Sequence, residues 1–236
     1  MVSEWMSKHL TFMDDPLRVL RLVRIGCKLG YTIKQQAMAS IKNHDIHAAL
    51  DMKVNRERIG IEIFKMMKNP GPRMAFQILY EADLYATVFL GQTSSIRPVP
   101  HGHLPAQGSG YPWPTTWPRS YKLLADLIVD TSNIGILVKS EPSPEHLWTL
   151  AAYSPIAACR HNLLKIAMEE VTNALKLPSQ ISKLVQSALR HTDSIRATVR
   201  LVGAHFKNSP RCSTIGIAIR SWGATWKLQV LYSLLA

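Results

Sequence analysis

The sequence is poor in cysteine, in acidic residues and in long apolar runs. Its three cysteines among 236 residues are odd in number and far apart, at Cys27, Cys159 and Cys212. This usage favours buried thiols in a reducing compartment over a disulfide framework. No apolar run reaches the ~18–20 residues of a membrane span, and no basic region leads into an apolar stretch at the N-terminus. We therefore expect an intracellular protein with no membrane partner, and cytoplasm, nucleus and mitochondrion all fit.

Signatures of common catalytic sites are also missing. There is no GxSxG elbow, no glycine-rich phosphate loop before a helix, no HExxH and no paired-cysteine metal site. A two-metal polymerase needs carboxylates that converge on Mg²⁺, and no Asp-x-Asp or Glu-x-Asp lies on a strand-like run. His101 and His103 have no further ligand at metal spacing. The sequence therefore predicts no catalytic residue and no metal site in this chain.

The charge balance is strongly basic. Twenty-eight Lys and Arg face sixteen Asp and Glu, which gives a formal net charge of +12 and a pI near 9.8. Such an excess is typical of proteins with a polyanionic partner, and RNA, DNA and anionic lipid all qualify. A basic but unspecialised surface is the alternative.

The pattern of the chain is almost entirely helical. Residues 11–90 show apolar positions at helical spacing with short turns, whereas residues 91–118 are rich in Pro and Gly, have no period, and are predicted to be a loop or linker. Helical patterns return over residues 119–236. The predicted helices there cover roughly 119–130, 143–158, 160–176, 178–190, 193–207 and 212–235.

Two helices in the first region have clear boundaries. Asp15 is a good N-cap, Pro16 suits the first helical position, and Gly30 ends the run. Asn55 caps a later helix, which the "NPGP" segment (69–72) must break. The apolar stripe of this later helix and the inward positions after the break are predicted to be Ile59, Ile63, Met66, Met67, Met74, Ile78 and Leu79.

Charged side chains are densest in "DDPLRVLRLVR", residues 14–24. Two carboxylates precede Arg18, Arg21 and Arg24, which follow at three-residue spacing. An Asp and an Arg one turn apart can present an acceptor and donors together, which suits the edge of a nucleobase. An ordinary helix start, in which Asp15 caps the helix and Arg18 pairs with Asp14, is the alternative.

Two segments resemble the neck of class II CCA-adding enzymes, the tRNA nucleotidyltransferases of the poly(A) polymerase type. They are "TFMDDPLRVLRLVRIGCKLGYTI" (11–33) and "VNRERIGIEIFKMMKNPGPRMAFQILYEADL" (54–84). Residues 1–10 form an N-terminal extension that does not match. The last segment, "STIGIAIRSWGATWKLQVLYSLLA", is similar to the tail of fungal members, with matching positions at Ile215, Gly216, Arg220, Gly223 and Trp226.

The resemblance implies roles for individual residues. In the family an (E/D)DxxR motif opens the neck helix and acts as an amino-acid template for the incoming base. The residues at the matching template positions, Asp15 and Arg18, would form Watson–Crick-like hydrogen bonds to CTP and then to ATP. Support of the template helix would fall to Asp14, Arg21, Arg24, Arg56, Glu57, Arg58 and Glu62.

The resemblance also implies an all-α neck–body–tail array that takes part in adding CCA to the 3′ end of tRNA. Residues 11–90 would recognise the nucleotide, and residues 119–236 would bind tRNA. The α/β nucleotidyltransferase head of the family has no counterpart in the sequence, so we expect the isolated chain to be inactive. With a head, Mg²⁺ would act on CTP and ATP as substrates. A non-catalytic RNA-binding remnant and a helical module without activity are the alternatives.

Overall fold

The computed structural model describes residues 10–91, 115–158, 164–204 and 212–236. These residues form helices and connecting turns and contain no strand, as predicted for an all-α chain. The helices are α1 (Leu17–Leu29), α2 (Gln35–Ile41), α3 (His44–Lys53), α4 (Arg56–Lys68), α5 (Pro72–Glu81), α6 (Tyr85–Phe89), α7 (Trp117–Val129), α8 (Asn133–Lys139), α9 (Pro144–Tyr153), a 3₁₀ turn (Ser154–Ala158), α10 (Leu164–Ala174), α11 (Ser179–Ala204), α12 (Cys212–Trp222) and α13 (Trp226–Leu235). Most of the predicted loop 91–118 lies outside the described residues.

Helix α1 ends as predicted but begins differently. Gly30 adopts the left-handed conformation at φ 68°, and its N–H donates to the carbonyl of Cys27, which closes the helix. The prediction that Asp15 is the N-cap is wrong, because Pro16 holds that position and provides no side-chain cap. The Asp15 carboxylate, just before the helix, turns instead toward Arg18 and Arg21 of α1.

Helices α4 and α5 confirm the predicted cap and break. The side chain of Asn55 accepts a hydrogen bond from the backbone N–H of Glu57 at 3.0 Å. The predicted apolar stripe of α4 is buried throughout. Gly71, at φ 90°, reverses the chain before α5. In α5 Ile78 and Leu79 are buried as predicted, but Met74 is 54% exposed and was wrongly placed inward.

The C-terminal helices divide at other points than predicted. Residues 178–190 and 193–207 were expected to form two helices, but α11 runs without a break from Ser179 to Ala204. Thr192, at the expected break, is buried and donates its hydroxyl to the carbonyl of Ala188 at 2.7 Å, so it stays within the helix. The stretch 212–235 was expected to be one helix, but Gly223, at φ 79°, separates α12 from α13.

One aromatic core joins the helices before and after the central loop. Tyr85 and Trp117 pack edge to face with ring centroids 4.6 Å apart, and the rings of Phe76 and Trp117 are tilted with centroids 5.0 Å apart. Indole Nε1 of Trp117 donates to the carbonyl of Ala151 at 3.1 Å. The core therefore bridges the two predicted regions.

Among the helices that the structure describes, none has the length and the hydropathy of a membrane-spanning segment.

A close backbone approach holds α4 against the turn between α10 and α11. A Cβ atom added at Gly60 would lie 1.9 Å from the backbone oxygen of Leu175. Only glycine permits this contact, because any side chain would push the two helices apart. The approach places the neck-like helices and the C-terminal helices in one packed unit.

Candidate functional site

The predicted template residues lie together at the start of α1. Oδ2 of Asp15 is 3.8 Å from Nε of Arg18. The Asp15 side chain is 28% exposed and that of Arg18 is 51% exposed, so both are open to a ligand. The structure brings Arg18 to Asp15, whereas the ordinary helix start considered above paired Arg18 with Asp14. Asp14 is exposed and forms no ion pair with any of the described residues.

Behind this pair, a buried carboxylate on α4 holds the next two arginines of α1. Glu62 has a side chain only 6% exposed, and its Oε2 accepts a hydrogen bond from Nε of Arg24 at 2.7 Å. Its Oε1 lies 3.5 Å from Nε of Arg21. A carboxylate this deeply buried needs charged partners, and the two guanidinium groups supply them.

Arg21 links the buried and the exposed ends of this cluster. Its Nη1 lies 3.6 Å from Oδ2 of Asp15, while its Nε faces Glu62. The charges thus alternate from Glu62 through Arg21 to Asp15 and Arg18. Because the inner end is buried against α4, Arg21 draws the carboxylate of Asp15 toward this side of the surface. The result is a positioned hydrogen-bond acceptor beside an exposed arginine fork.

The other predicted support residues on α4 do not reach α1. Arg56 donates to the backbone carbonyls of Thr87, at 2.6 Å, and of Leu90, and its Nη2 lies 3.7 Å from Asp51. It therefore anchors α6 to α3 and α4. Glu57 and Arg58 are exposed, and neither side chain forms a hydrogen bond or ion pair within the described part of the chain.

One anchor of the site was missed by sequence reasoning. Nζ of Lys53, in the last turn of α3, donates to the backbone carbonyl of Met13 at 3.1 Å and so ties down the segment that precedes α1. The apolar pattern of α3 is weak, and this helix was not predicted. A lysine in a polar segment offers no sequence signal for a contact forty residues away.

The cysteines and the candidate metal ligands add no chemistry to this site. Burial raises the pKa of the Cys27 thiol to about 11, so this thiol stays protonated and is a poor nucleophile. The side chains of Cys159 and Cys212, and both His101 and His103, lie outside the described residues. Across residues 10–91, 115–158, 164–204 and 212–236, no group of three or more His, Cys, Asp or Glu side chains could hold a metal ion.

The sequence is similar to nucleotidyltransferases of fungi. It is 29% identical to a nucleotidyltransferase of Purpureocillium lilacinum, over 95% of this chain and 40% of that protein. Over 36% of its length, the chain is 39% identical to the mitochondrial CCA tRNA nucleotidyltransferase of Saccharomyces cerevisiae, and this match covers 16% of that protein. The chain fits a C-terminal part of CCA-adding tRNA nucleotidyltransferases, to which it is similar. No protein-family model matches the sequence.

The fold agrees with this relationship. A solved structure of a CCA-adding enzyme with CTP superposes on 97% of the chain with a TM-score of 0.58 and 12% sequence identity, and the matched part is 45% of that enzyme. Each of these three proteins is more than twice as long as the part that this chain matches. The all-α architecture predicted for this chain is therefore confirmed for the residues that the structure describes.

Proposed function

We propose that this chain supplies base selection and tRNA binding for CCA addition by a tRNA nucleotidyltransferase. The observation that carries the proposal is the exposed pair of Asp15 and Arg18 at the start of α1, held from behind by Arg21 and the buried Glu62. This cluster uses the residues that the family resemblance assigns to the base template. Relatives with the CCA-adding name and fold support the same function.

The chemistry of the pair favours cytosine and adenine over uracil and guanine. Both C and A carry an exocyclic amine beside a ring nitrogen acceptor. The Asp15 carboxylate would accept from the amine, and the Arg18 guanidinium would donate to the ring nitrogen. Uracil and guanine have a carbonyl oxygen where cytosine and adenine have the amine. This oxygen would face the Asp15 carboxylate, and two acceptors would meet without a donor between them. One fixed pair would thus accept two bases and reject two.

Phosphoryl transfer itself needs groups that the described residues do not provide. Carboxylates that converge on Mg²⁺ are absent from them, so they do not fit a magnesium site. We propose that a nucleotidyltransferase head supplies the metal carboxylates, and that the chain's net charge of +12 attracts the tRNA phosphates. The described residues would then choose the nucleotide and hold the RNA without taking part in bond making.

Nucleotide titration of the purified chain tests the proposal. The protein is titrated with ATP, CTP, GTP and UTP at equal magnesium, and binding is followed by NMR line shifts of the nucleotides. We expect ATP and CTP to bind more tightly than GTP and UTP, by roughly fivefold or more, since a paired contact to a base edge discriminates by about 1–3 kcal/mol. Equal binding of the four nucleotides would contradict the template assignment.

Two variants and one control sharpen the result. Arg18→Ala removes the donor, and Asp15→Asn keeps the size of the side chain but turns the anion into an amide. Both should erase the preference while the melting temperature stays nearly unchanged, because Asp15 is not the N-cap of α1. Arg190→Ala removes an exposed arginine from α11 and should leave the preference intact. An unchanged preference in both template variants would leave only a charged helix start.

A further inference from the structure

A cavity of about 310 Å³ lies between the α4–α5 turn and helices α7 and α9, away from the start of α1. Its volume is at the lower end for ligand sites and suits a single small group rather than an extended molecule. The walls are mainly apolar and include Met67, Ala125, Ile128 and Trp148. Transfer of a flat, apolar group from water into this cavity would therefore cost little free energy.

The rim of the cavity carries two cations, and one of them has no ion-pair partner among the described residues. Lys68 is paired with Glu145 at 3.3 Å and lies 4.6 Å from the ring centre of Phe64. Arg73 is exposed and forms no ion pair with any residue of the described ranges. A negatively charged group beside the cavity would thus meet one guanidinium for which no residue in the described part of the chain competes as an ion-pair partner.

The turn that lines the cavity also contains an amide donor without a partner in the described ranges. Nδ2 of Asn69 is buried and has no hydrogen-bond partner among those residues. Buried polar groups without a partner are rare, because each costs about 1–3 kcal/mol. The terminal torsion of asparagine is soft, so a small rotation offers the amide to an oxygen or nitrogen acceptor inside the cavity. An occupant with an acceptor on a flat apolar body would satisfy it.

We propose that this cavity binds one unpaired nucleotide of the RNA partner. Its base would enter between the α4–α5 turn and Trp148, an acceptor of the base would take the Asn69 amide, and its phosphate would lie against Arg73. The inference rests on the proposed RNA-binding function and deepens it, since it adds a second contact separate from Asp15 and Arg18. The net charge of +12 favours this occupant over an acidic peptide, because RNA presents a phosphate at every nucleotide.

The test compares two RNA hairpins with the same stem, one blunt and one with a four-nucleotide unpaired 3′ extension, by fluorescence anisotropy. For the whole chain we expect the extended hairpin to bind about five- to tenfold more tightly than the blunt one, because base contacts of this kind are worth about 1–3 kcal/mol. Ala125→Leu fills the cavity and should remove this gain while blunt-hairpin binding stays the same. Arg73→Ala should remove most of the gain.

Matched controls separate the cavity from general charge and size effects. Ala197→Leu makes the same change on an exposed face of α11, and Arg190→Ala removes one exposed charge from the same helix. Both should keep the ratio between the two hairpins. If Ala125→Leu lowers the melting temperature strongly, Asn69→Asp replaces it, because it puts an anion on the cavity wall and should also abolish the gain.

Three outcomes would overturn the inference. The wild-type chain could bind both hairpins equally, or the cavity variants could leave the ratio unchanged; blunt-hairpin binding would then still uphold the proposed RNA function. Alternatively, N-acetylphenylalanine could bind the wild-type chain and lose affinity in Ala125→Leu while the hairpin ratio stays constant. That result would assign the cavity to an apolar carboxylate such as a peptide end. A wild-type chain that does not bind the blunt hairpin would instead count against the proposed RNA-binding function.

Discussion

Replacing the buried Glu62 by glutamine should cost stability and base selection together. Glu62→Gln keeps the shape of the side chain but removes the charge that Arg21 and Arg24 share. Arg24 is only 20% exposed and lies 2.7 Å from Glu62, so it would be left in a poorly hydrated place without its partner. Arg21 is 43% exposed and can turn to water, which limits its share of the loss.

The expected magnitude follows from these exposures. Hydrogen bonds to charged groups contribute about 1.5–3 kcal/mol, and breaking a fully buried ion pair costs about 3–5 kcal/mol. Because Arg24 is partly solvated, we expect the free energy of unfolding to fall by about 2 kcal/mol. In a chain of this size the melting temperature should then drop by about 4–8 °C. The preference for ATP and CTP should weaken as well, since Arg21 would no longer hold Asp15 against a fixed anchor.

Thermal unfolding by circular dichroism and the nucleotide titration measure the two effects in the same protein. Glu57→Gln is the matched control, because it makes the same change at an exposed site on the same helix and should shift stability by less than about 0.5 kcal/mol. A double-mutant cycle with Arg24→Met isolates the pair, and a coupling energy near zero would refute the reasoning. So would a Glu62→Gln protein that melts within about 1 °C of wild type.

Three further predictions concern packing, pH and chemistry. Gly60→Ala should lower the free energy of unfolding by about 2–3 kcal/mol in denaturant titration, because its Cβ would strike the backbone oxygen of Leu175, whereas Gly216→Ala has open space and should not destabilise. Burial lowers the pKa of His47, whose Nε2 lies 2.8 Å from the carbonyl of Ile41. The free energy of unfolding should therefore fall as the pH drops below about 6.5, because the unfolded chain then binds a proton that the folded chain excludes. His47→Gln should make the free energy of unfolding less dependent on pH in this range. The isolated chain should add neither CTP nor ATP to tRNA that lacks its 3′ end; incorporation abolished by a substitution within the described residues would contradict this expectation.

Local sequence signals predicted the helices whose ends carry their own chemistry. Asn55 caps α4 and Gly30 closes α1, because both effects involve residues within one turn of the helix end. Weakly patterned helices escaped prediction, as α3 and α8 show. The continuous α11 was predicted as two helices, 178–190 and 193–207, whereas buried residues around Thr192 keep the helix intact.

The arrangement of the candidate site was likewise predictable from the sequence only in part. Short spacing along the chain sufficed to bring Asp15 and Arg18 together, since Asp15 lies just before α1 and Arg18 lies in its first turn. The family resemblance pointed to support from α4 but assigned it to Arg56, Glu57 and Arg58 as well as to Glu62. Only Glu62 faces α1 and its arginines, while Arg56 turns to α6 and the other two face solvent.

The sequence by itself determined the helical class, the basic charge and the pair that opens α1, because each depends on composition or on residues within a turn of one another. Tertiary structure decided which carboxylate is buried, which arginine links it to Asp15, and where Asn69 and Arg73 border a cavity. These features join residues dozens of positions apart. Their geometry depends on how whole helices pack, and on close approaches such as Gly60 against Leu175, which no local pattern encodes.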